Sequence, residues 1–371
     1  MSDFTWVDGE RLIRFGAGAI SEAPELIAER GMGSYALLTT ARAASAAPAV
    51  VDGAAAVIEV PAGRVDEVAA AIRAEVAELA RGGTGSGPGG GGRAAALGSA
   101  SGGGGAVPAL VALGGGRVID VAKALAAADG HACAALPTTL AGSPVTGSHR
   151  LPAGVEGVAP VRPSLVVWDP DLIATLPRPQ LAATALNALA HALESLYTPR
   201  ANPVGELAAL RAAELIGGEL PRAEPDRAAV ALGAVLGGYA VGASGFAFHH
   251  AICQTVVRSA GTPHAETNAV VLPHSAAFAA RRAPGPVARF AAALGGAPAD
   301  PADSAAVADA VGQRIAALTA RTGVAGLAAL GVAADGVPRL AAAVLAHPAL
   351  ASTAGGPPSE NDVAAILAAA L

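Results

Sequence analysis

Apolar residues in the first half of the chain come in short bursts separated by stretches with a helical period. YALLTT over 35–40 is an apolar run closed by threonines, and VIEV over 57–60 is rich in β-branched residues. Both patterns predict buried strands. From Val65 to Arg81 the apolar positions form one stripe, with Arg73, Glu75 and Glu78 lying off it, which predicts an amphipathic helix. PALVAL over 108–113 and LVVW over 165–168 predict two further buried strands. The first runs through three glycines into a helix beginning near Val118, and the second is closed by Asp169-Pro170. From about Leu181 the strand signals stop and long alanine-rich helical periods follow. Strands alternating with helices, then helices alone, predict an α/β domain over 1–176 and an all-α domain over 177–371, with the seam near Leu176-Pro177. Residues 82–106 are dominated by glycine and serine; they bury too little apolar surface to offset their ordering entropy, so a mobile loop is expected there.

Composition sharpens this picture. Hydrophobic residues make up 53% of the 371 positions but aromatics only 3%, so the helices must pack closely through small side chains. A net charge of −6 argues against a nucleic-acid partner, which requires a basic footprint. No apolar run approaches the ~20 residues needed to cross a bilayer, so no membrane partner is expected. The N-terminus lacks the basic-then-apolar layout of a secretory signal. Cys133 and Cys253, the only cysteines, read as reduced thiols of a cytoplasmic protein rather than as a structural bridge.

Three segments carry candidate chemistry for a phosphate-bearing ligand. Gly114, Gly115 and Gly116 lie between a strand and a helix N-terminus, where free N–H groups and the helix dipole favour a pyrophosphate; a plain tight turn fits the same residues. Arg117 and Asp120 follow on that helix. Asp120 reads as an ordinary first-turn acid, as a group that orients the turn, or as a partner for a cofactor hydroxyl. In LPTTLAGS, the hydroxyls of Thr138, Thr139 and Ser143 suit phosphate and ribose oxygens, or a solvated turn with a helix cap. RFGAGAI at 14–20 is a third loop of the same kind.

The second half carries a different set. Asn187 and His191, four apart, share one helix face. FHHAICQ at 248–254 contributes His249, His250 and Gln254, and PHAE at 263–266 contributes His264. For any one of these histidines a satisfied core imidazole is the plainer reading. Together, three imidazoles and an amide outline a divalent-metal site with one ligand altered.

These segments, in this order, resemble the iron-containing alcohol dehydrogenase superfamily, which includes glycerol dehydrogenases and is related to dehydroquinate synthases. FGAGAI, GGGRVIDVAK, LPTTLAGS, the WDP element, NALAHALESLY and PHAETNAVVLPH carry the resemblance over nearly the whole chain. The maleylacetate reductase branch is the most similar, although GGGRVIDVAK is more similar to the glycerol dehydrogenase branches. The resemblance implies a dehydroquinate synthase-like architecture: a Rossmann-like N-terminal domain, an all-α C-terminal domain and a cleft between them. It implies NAD(H) or NADP(H) over Gly114–Gly116 and Thr138-Thr139. Thr40 stands where many NAD-preferring relatives carry an acid, so a 2′-phosphate would meet no repulsion.

The positions matching the superfamily's metal ligands are Asn187, His191, His250 and His264. Metal-dependent members have Asp at the first; Asn leaves no charge to offset a dication. The maleylacetate reductase branch shares this Asn and works without a metal, so no bound iron or zinc is expected here. His250 and His264, with His191, would then polarise or protonate the developing oxyanion. Ala251 and Gln254 stand where that branch has Lys and His, Asn268 replaces a further His, and Pro144 replaces a Glu. Gln254 hydrogen-bonds but does not titrate. The lost cations argue against maleylacetate itself as substrate. Tyr197 reads as a proton donor or as core, and Arg258 and His249 as groups that bind an anionic or oxygen-rich small-molecule substrate, with a solvated helix-end charge an equal reading of Arg258. Relatives also suggest a homodimer. The expectation is an NAD(P)H-dependent reductase of a ketone or activated double bond; the alternative is a repurposed lyase, isomerase or cyclase without net redox.

Overall fold

The computed structural model describes residues 3–80, 108–296 and 300–371, so the loop expected over 82–106 lies outside the described residues. The chain forms two compact units, Met1–Thr139 with Ser143–Thr175, and Leu140–Gly142 with Leu176–Leu371.

The first unit is built on strands β1 (Phe4–Asp8), β2 (Arg11–Phe15), β3 (Tyr35–Thr39), β4 (Ala56–Glu59), β5 (Ala109–Gly114), β6 (Cys133–Pro137) and β7 (Leu165–Trp168). Its helices are α1 (Ala23–Glu29), α2 (Ala41–Ala46), α3 (Pro48–Asp52), α4 (Val65–Ala80), α5 (Gly116–Asp129) and α6 (Pro170–Ala174). The strands form one seven-stranded sheet in the order β1-β2-β7-β6-β5-β3-β4. Among the described residues only the β1–β2 pairing is antiparallel.

Strands β3, β5, β6 and β7 are buried at every position, as parallel strands covered on both faces must be. Their residues alternate between two cores. Leu38, Leu110 and Ala112 pack with Ile72, Ile119 and Leu125, while Leu37, Val111 and Leu113 pack with Ile27, Val50 and Leu172. After β3 the chain places β4 on one side of it and β5 on the other, so the strand order reverses between β3 and β5. In such sheets a ligand crevice opens outside the carboxyl ends of the strands at that reversal.

The strands at 35–40, 57–60, 108–113 and 165–168 are present. The sequence reading passed over β1, β2 and β6. β6 is Cys-Ala-Ala-Leu-Pro, whose small residues and terminal proline give no strand signature. β2 hides two buried arginines in its pattern. Arg11 pairs with Asp8 and donates to the Val145 carbonyl at 2.9 Å, and Arg14 forks onto both oxygens of Glu22 at 2.7 Å.

The second unit is helical: α7 (Arg178–Ser195), α8 (Pro203–Glu219), α9 (Arg227–Ser244), α10 (Phe248–Ala260), α11 (His264–Arg282), α12 (Pro284–Ala293), α13 (Ser304–Thr319), α14 (Val337–Val344) and α15 (Glu360–Ala369). Among the described residues one helix, α9, is long and apolar enough by length and composition alone to cross a membrane, with mean hydropathy 1.3 over 18 residues. Its apolarity serves close packing. A Cβ on Gly237 would come within 2.6 Å of the Ala188 carbonyl on α7, and one on Gly233 within 2.7 Å of Ile216 on α8.

Candidate functional site

In the first unit, Gly114 ends β5, Gly115 caps α5 with extended backbone, and α5 starts at Gly116. No side chain caps α5, which leaves its first-turn amides free for an anion. The glycines also answer to packing: a Cβ on Gly114 would meet Val118 at 2.8 Å, and one on Gly115 would meet Thr139 at 3.2 Å. Thr138 donates its N–H to the Gly114 carbonyl at 2.9 Å, while its buried hydroxyl has no hydrogen-bond partner. Thr39 Oγ1 donates to the Leu113 carbonyl at 2.9 Å, tying β3 to β5 at the strand-order reversal. Thr40 caps α2, its hydroxyl accepting from the Ala43 N–H, and Arg117 is exposed.

Asp120 and Ser143 are bonded to each other, the Ser143 hydroxyl donating to the carboxylate. The fully buried Lys123 joins them, reaching Asp120 at 3.2 Å and the carbonyls of Ser143 and Ser148 at 3.0 and 2.8 Å. The pair therefore orients the loop after β6. Asp169 does the same for the loop at 15–20, accepting the Gly18 and Ile20 amides at 3.2 and 3.0 Å.

In the second unit, Asn187 and His191 project from α7 and His250 from the first turn of α10. The His191 and His250 rings stack, with centroids 4.6 Å apart and planes 12° from parallel. Gly142 lies against His191: a Cβ there would be 2.7 Å from its Cε1. Phe246 leans on His250 at 5.5 Å. His250 Nδ1 meets Glu194 Oε2 at 2.5 Å, and Glu194 Oε1 accepts the His249 N–H at 2.7 Å. Burial, with His264 and His347 nearby, pushes His250 down to about 3, and burial with the neighbouring imidazoles holds His191 well below its ordinary value. Both rings are neutral at neutral pH. Burial raises Glu194, against the charge of His249 and the amides of Ala247, His249 and His250, which favour its ionised form.

His264 stays near both rings and lowers the pKa of each, while the remaining expected residues fall elsewhere. His264 is exposed at the start of α11, where Asn268 Nδ2 bonds its carbonyl at 2.7 Å and approaches its Nε2 at 3.3 Å. His249 is buried with both ring nitrogens engaged, by Ser275 at 2.7 Å and Asn268 Oδ1 at 3.0 Å, which removes it as a substrate contact. Gln254 Oε1 faces His347 Nε2 at 3.2 Å. Tyr197 is buried against Phe248, beside Ala279 and Arg282, and burial pushes its phenol well above its ordinary range. Arg258 is exposed.

Glu194, His347 and Lys123 went unread in the sequence. An acid inside the apolar text of α7, three positions after His191, was a usable signal for Glu194. A lysine on a helix ordinarily faces water, so Lys123 carries no signal of burial, and His347, at the start of the 3₁₀ turn Pro348–Ser352, sits in no periodic pattern.

Asn187 Oδ1, His191 Nδ1 and His250 Nε2 are buried without hydrogen-bond partners. Two imidazoles suit iron or zinc. An amide oxygen adds no charge, however, and Glu194 is turned to Nδ1 and to backbone amides rather than toward a cation. Among the described residues no three His, Cys, Asp or Glu side chains gather to hold a metal.

The model of the Fe-containing alcohol dehydrogenase family, C-terminal, matches residues 181–371. A maleylacetate reductase of Sphingobium indicum is 36% identical over 249 residues, covering 64% of this chain and 67% of that protein. Maleylacetate reductase 1 of Rhodococcus opacus is 41% identical over 187 residues, covering 47% of this chain; there the chain spans about half the relative's length, 52%. The crystal structure of maleylacetate reductase from Agrobacterium tumefaciens superposes with a TM-score of 0.77 at 29% identity, covering 100% of this chain and 98% of that one.

Proposed function

The chain belongs to the Fe-containing alcohol dehydrogenase family, and we propose that it is an NAD(P)-dependent oxidoreductase working without a resident metal. Its substrate would be a ketone or an activated double bond in the reducing direction, and an alcohol in the reverse. The observation that carries the reading is the uncapped N-terminus of α5 at the strand-order reversal, beside the unpartnered hydroxyl of Thr138. Those groups suit a dinucleotide's phosphates and ribose. When bound, the dinucleotide supplies or accepts the hydride.

The chain's own contribution is at the substrate oxygen. His250 Nε2 accepts the hydroxyl proton as an alcohol is oxidised, and the resulting imidazolium, beside Glu194, returns it when the carbonyl is reduced. Asn187 and the stacked His191 shape the same face. Ala251 and Gln254 are uncharged where the signature of the maleylacetate reductase branch has a lysine and a histidine, and the Gln254 carbonyl oxygen already faces His347. That supports a substrate other than maleylacetate.

Titrating the purified protein with NADH and NADPH, while following nicotinamide fluorescence, tests the reading. Saturable uptake, and oxidation of the bound cofactor by a member of a carbonyl panel, is expected. Failure to take up either dinucleotide overturns it, and uptake with no turnover favours a lyase, isomerase or cyclase. Stoichiometric zinc or iron in the same sample would overturn the metal-free part.

A further inference from the structure

We propose that His149 is a pH-dependent clip: its neutral ring ties together the two ends of the loop over 149–161, and protonation of that ring releases the loop and loosens the dinucleotide turn beside it. The link to the dinucleotide rests on the reading above, whereas the clip itself does not.

The loop hangs from α5. Lys123 donates to the Ser143 and Ser148 carbonyls at 3.0 and 2.8 Å, so the segment just past Thr138 and Thr139 is held by the helix that the glycine turn begins. His149 is the next residue. Its half-buried ring meets two backbone groups: Nδ1 lies 2.9 Å from the Arg150 carbonyl oxygen, and Nε2 lies 3.0 Å from the Val161 nitrogen. Each partner has a fixed polarity, since a carbonyl oxygen only accepts and an amide N–H only donates. Nδ1 therefore carries the proton and Nε2 the lone pair. No other placement of the ring proton makes both bonds.

The clip closes a segment that is anchored along its length. Its middle is pinned to the start of α4, where the Ala153 N–H donates to the Asp66 carbonyl at 2.9 Å. At its far end the Val161 side chain packs on the core of Ile72, Ile119 and Leu125, between α4 and α5. His149 thus joins Ser148, which Lys123 holds, to Val161, which rests on the core beneath α5.

Protonation breaks this arrangement. An imidazolium has two N–H groups and no lone pair, so at Nε2 the Val161 N–H would face another donor. Burial lowers the ring's pKa and Lys123 adds to the effect, against the Arg150 carbonyl and Asp120, which favour the charged ring. The charged groups packed about the loop are Lys123 and Asp120 on α5, Asp66 on α4, Arg150 within it, and Arg162 just past it, paired with Glu10. The sign follows from the lowered value. The clip is fully made above the pKa of a free imidazole, about 6.5, and is lost as pH falls through the lower value of the closed ring. Opening takes up one proton, so the open fraction rises roughly tenfold per pH unit below about 6.5.

Hydrogen exchange of the full-length protein, read by NMR at the Val161 amide as a protection factor, tests the clip, with Val111 in β5 as reference. From pH 7.5 to pH 5 the protection of Val161 should fall roughly 30-fold while that of Val111 holds. In His149→Gln the amide oxygen accepts the same N–H and does not titrate, so protection should persist across the range. In His149→Phe, which has no acceptor, Val161 should be unprotected throughout. A wild-type Val161 indifferent to pH, an equal loss at Val111, a parallel loss in His149→Gln, or a protected Val161 in His149→Phe each overturns the proposal. Should a variant fail to fold, the wild-type comparison of Val161 with Val111 decides. Calorimetric titration with NAD+ and NADP+ reads the consequence: between pH 7.5 and pH 5.5 wild-type affinity should fall by up to roughly tenfold more than that of His149→Gln. Identical pH dependence in the two would overturn the link to the dinucleotide. Absence of binding at every pH would defeat the dinucleotide reading instead, because the exchange result is obtained without cofactor.

Discussion

His249 and His250 are identical residues in adjacent positions, and their surroundings give them opposite roles. One helical step turns a side chain by about 100°. His249 therefore meets Ser275 and Asn268, and both its nitrogens are used, whereas His250 keeps Nε2 without a partner. Periodicity and composition do not separate the two, because the physical distinction lies in what α7 and α11 bring beside them; only the family resemblance singled out His250. Gly142 offers the most direct test of the second ring's geometry. Its Cβ would stand 2.7 Å from Cε1 and 3.0 Å from Nδ1 of His191, closer than real side chains approach. The ring must move, and since it stacks on His250, the pair moves together. Gly142→Ala should lower kcat by roughly 10- to 100-fold, the scale expected when catalytic groups shift by about 1 Å. Dinucleotide affinity should fall far less than kcat, because the glycine turn at 114–116 is untouched. Steady-state kinetics and nicotinamide fluorescence on the same sample check this, and wild-type kcat would show that His191 does not shape the reacting face.

At the scale of elements, the sequence was readable where apolar character and geometry coincide. The inner strands β3, β5 and β7 are continuous aliphatic runs, α4 is amphipathic, and the glycine turn announces itself between a strand and a helix. β6 was not readable, since alanines and a final proline say little about backbone conformation. Neither was β2, whose buried arginines break the apolar pattern while hydrogen bonds compensate their charge. Lys123 belongs to this class: a lysine on a helix normally faces water, and here it is fully buried. It joins α5 to the loop after β6 through Asp120, Ser143 and Ser148. Lys123→Met should retain the apolar stem but leave the carbonyls of Ser143 and Ser148 without that donor. Losing one partner of a buried polar cluster costs about 1–3 kcal/mol. Chemical denaturation should show a loss of that size. Dinucleotide affinity should fall by about tenfold or more, because the freed loop follows directly on Thr138 and Thr139. A variant that is destabilised yet binds the dinucleotide normally would place the loop outside the cofactor site.

Over the whole molecule, the scarcity of aromatics forces cores of alanine, glycine and branched aliphatics, in which small groups are buried completely. The two cysteines report on this, one in each unit: Cys133 in β6 and Cys253 in α10, both buried and unpaired. Burial pushes the Cys133 thiol up to about 12 and the Cys253 thiol well above its ordinary value, with Glu194 adding to the latter. The sign of the shift fixes the expected chemistry. A raised thiol pKa keeps the reactive thiolate scarce, about one part in ten thousand at pH 8 for a pKa of about 12, and the surrounding side chains bar the reagent as well. An aromatic disulfide reagent at pH 8 should therefore find no fast-reacting thiol in the native protein and two once it is denatured. Mass spectrometry of the labelled peptides then assigns protection to each unit separately. Fast labelling of Cys133 alone would mean that the sheet core opens beneath the glycine turn. Fast labelling of Cys253 alone would loosen α10, and with it the contact between Glu194 and His250.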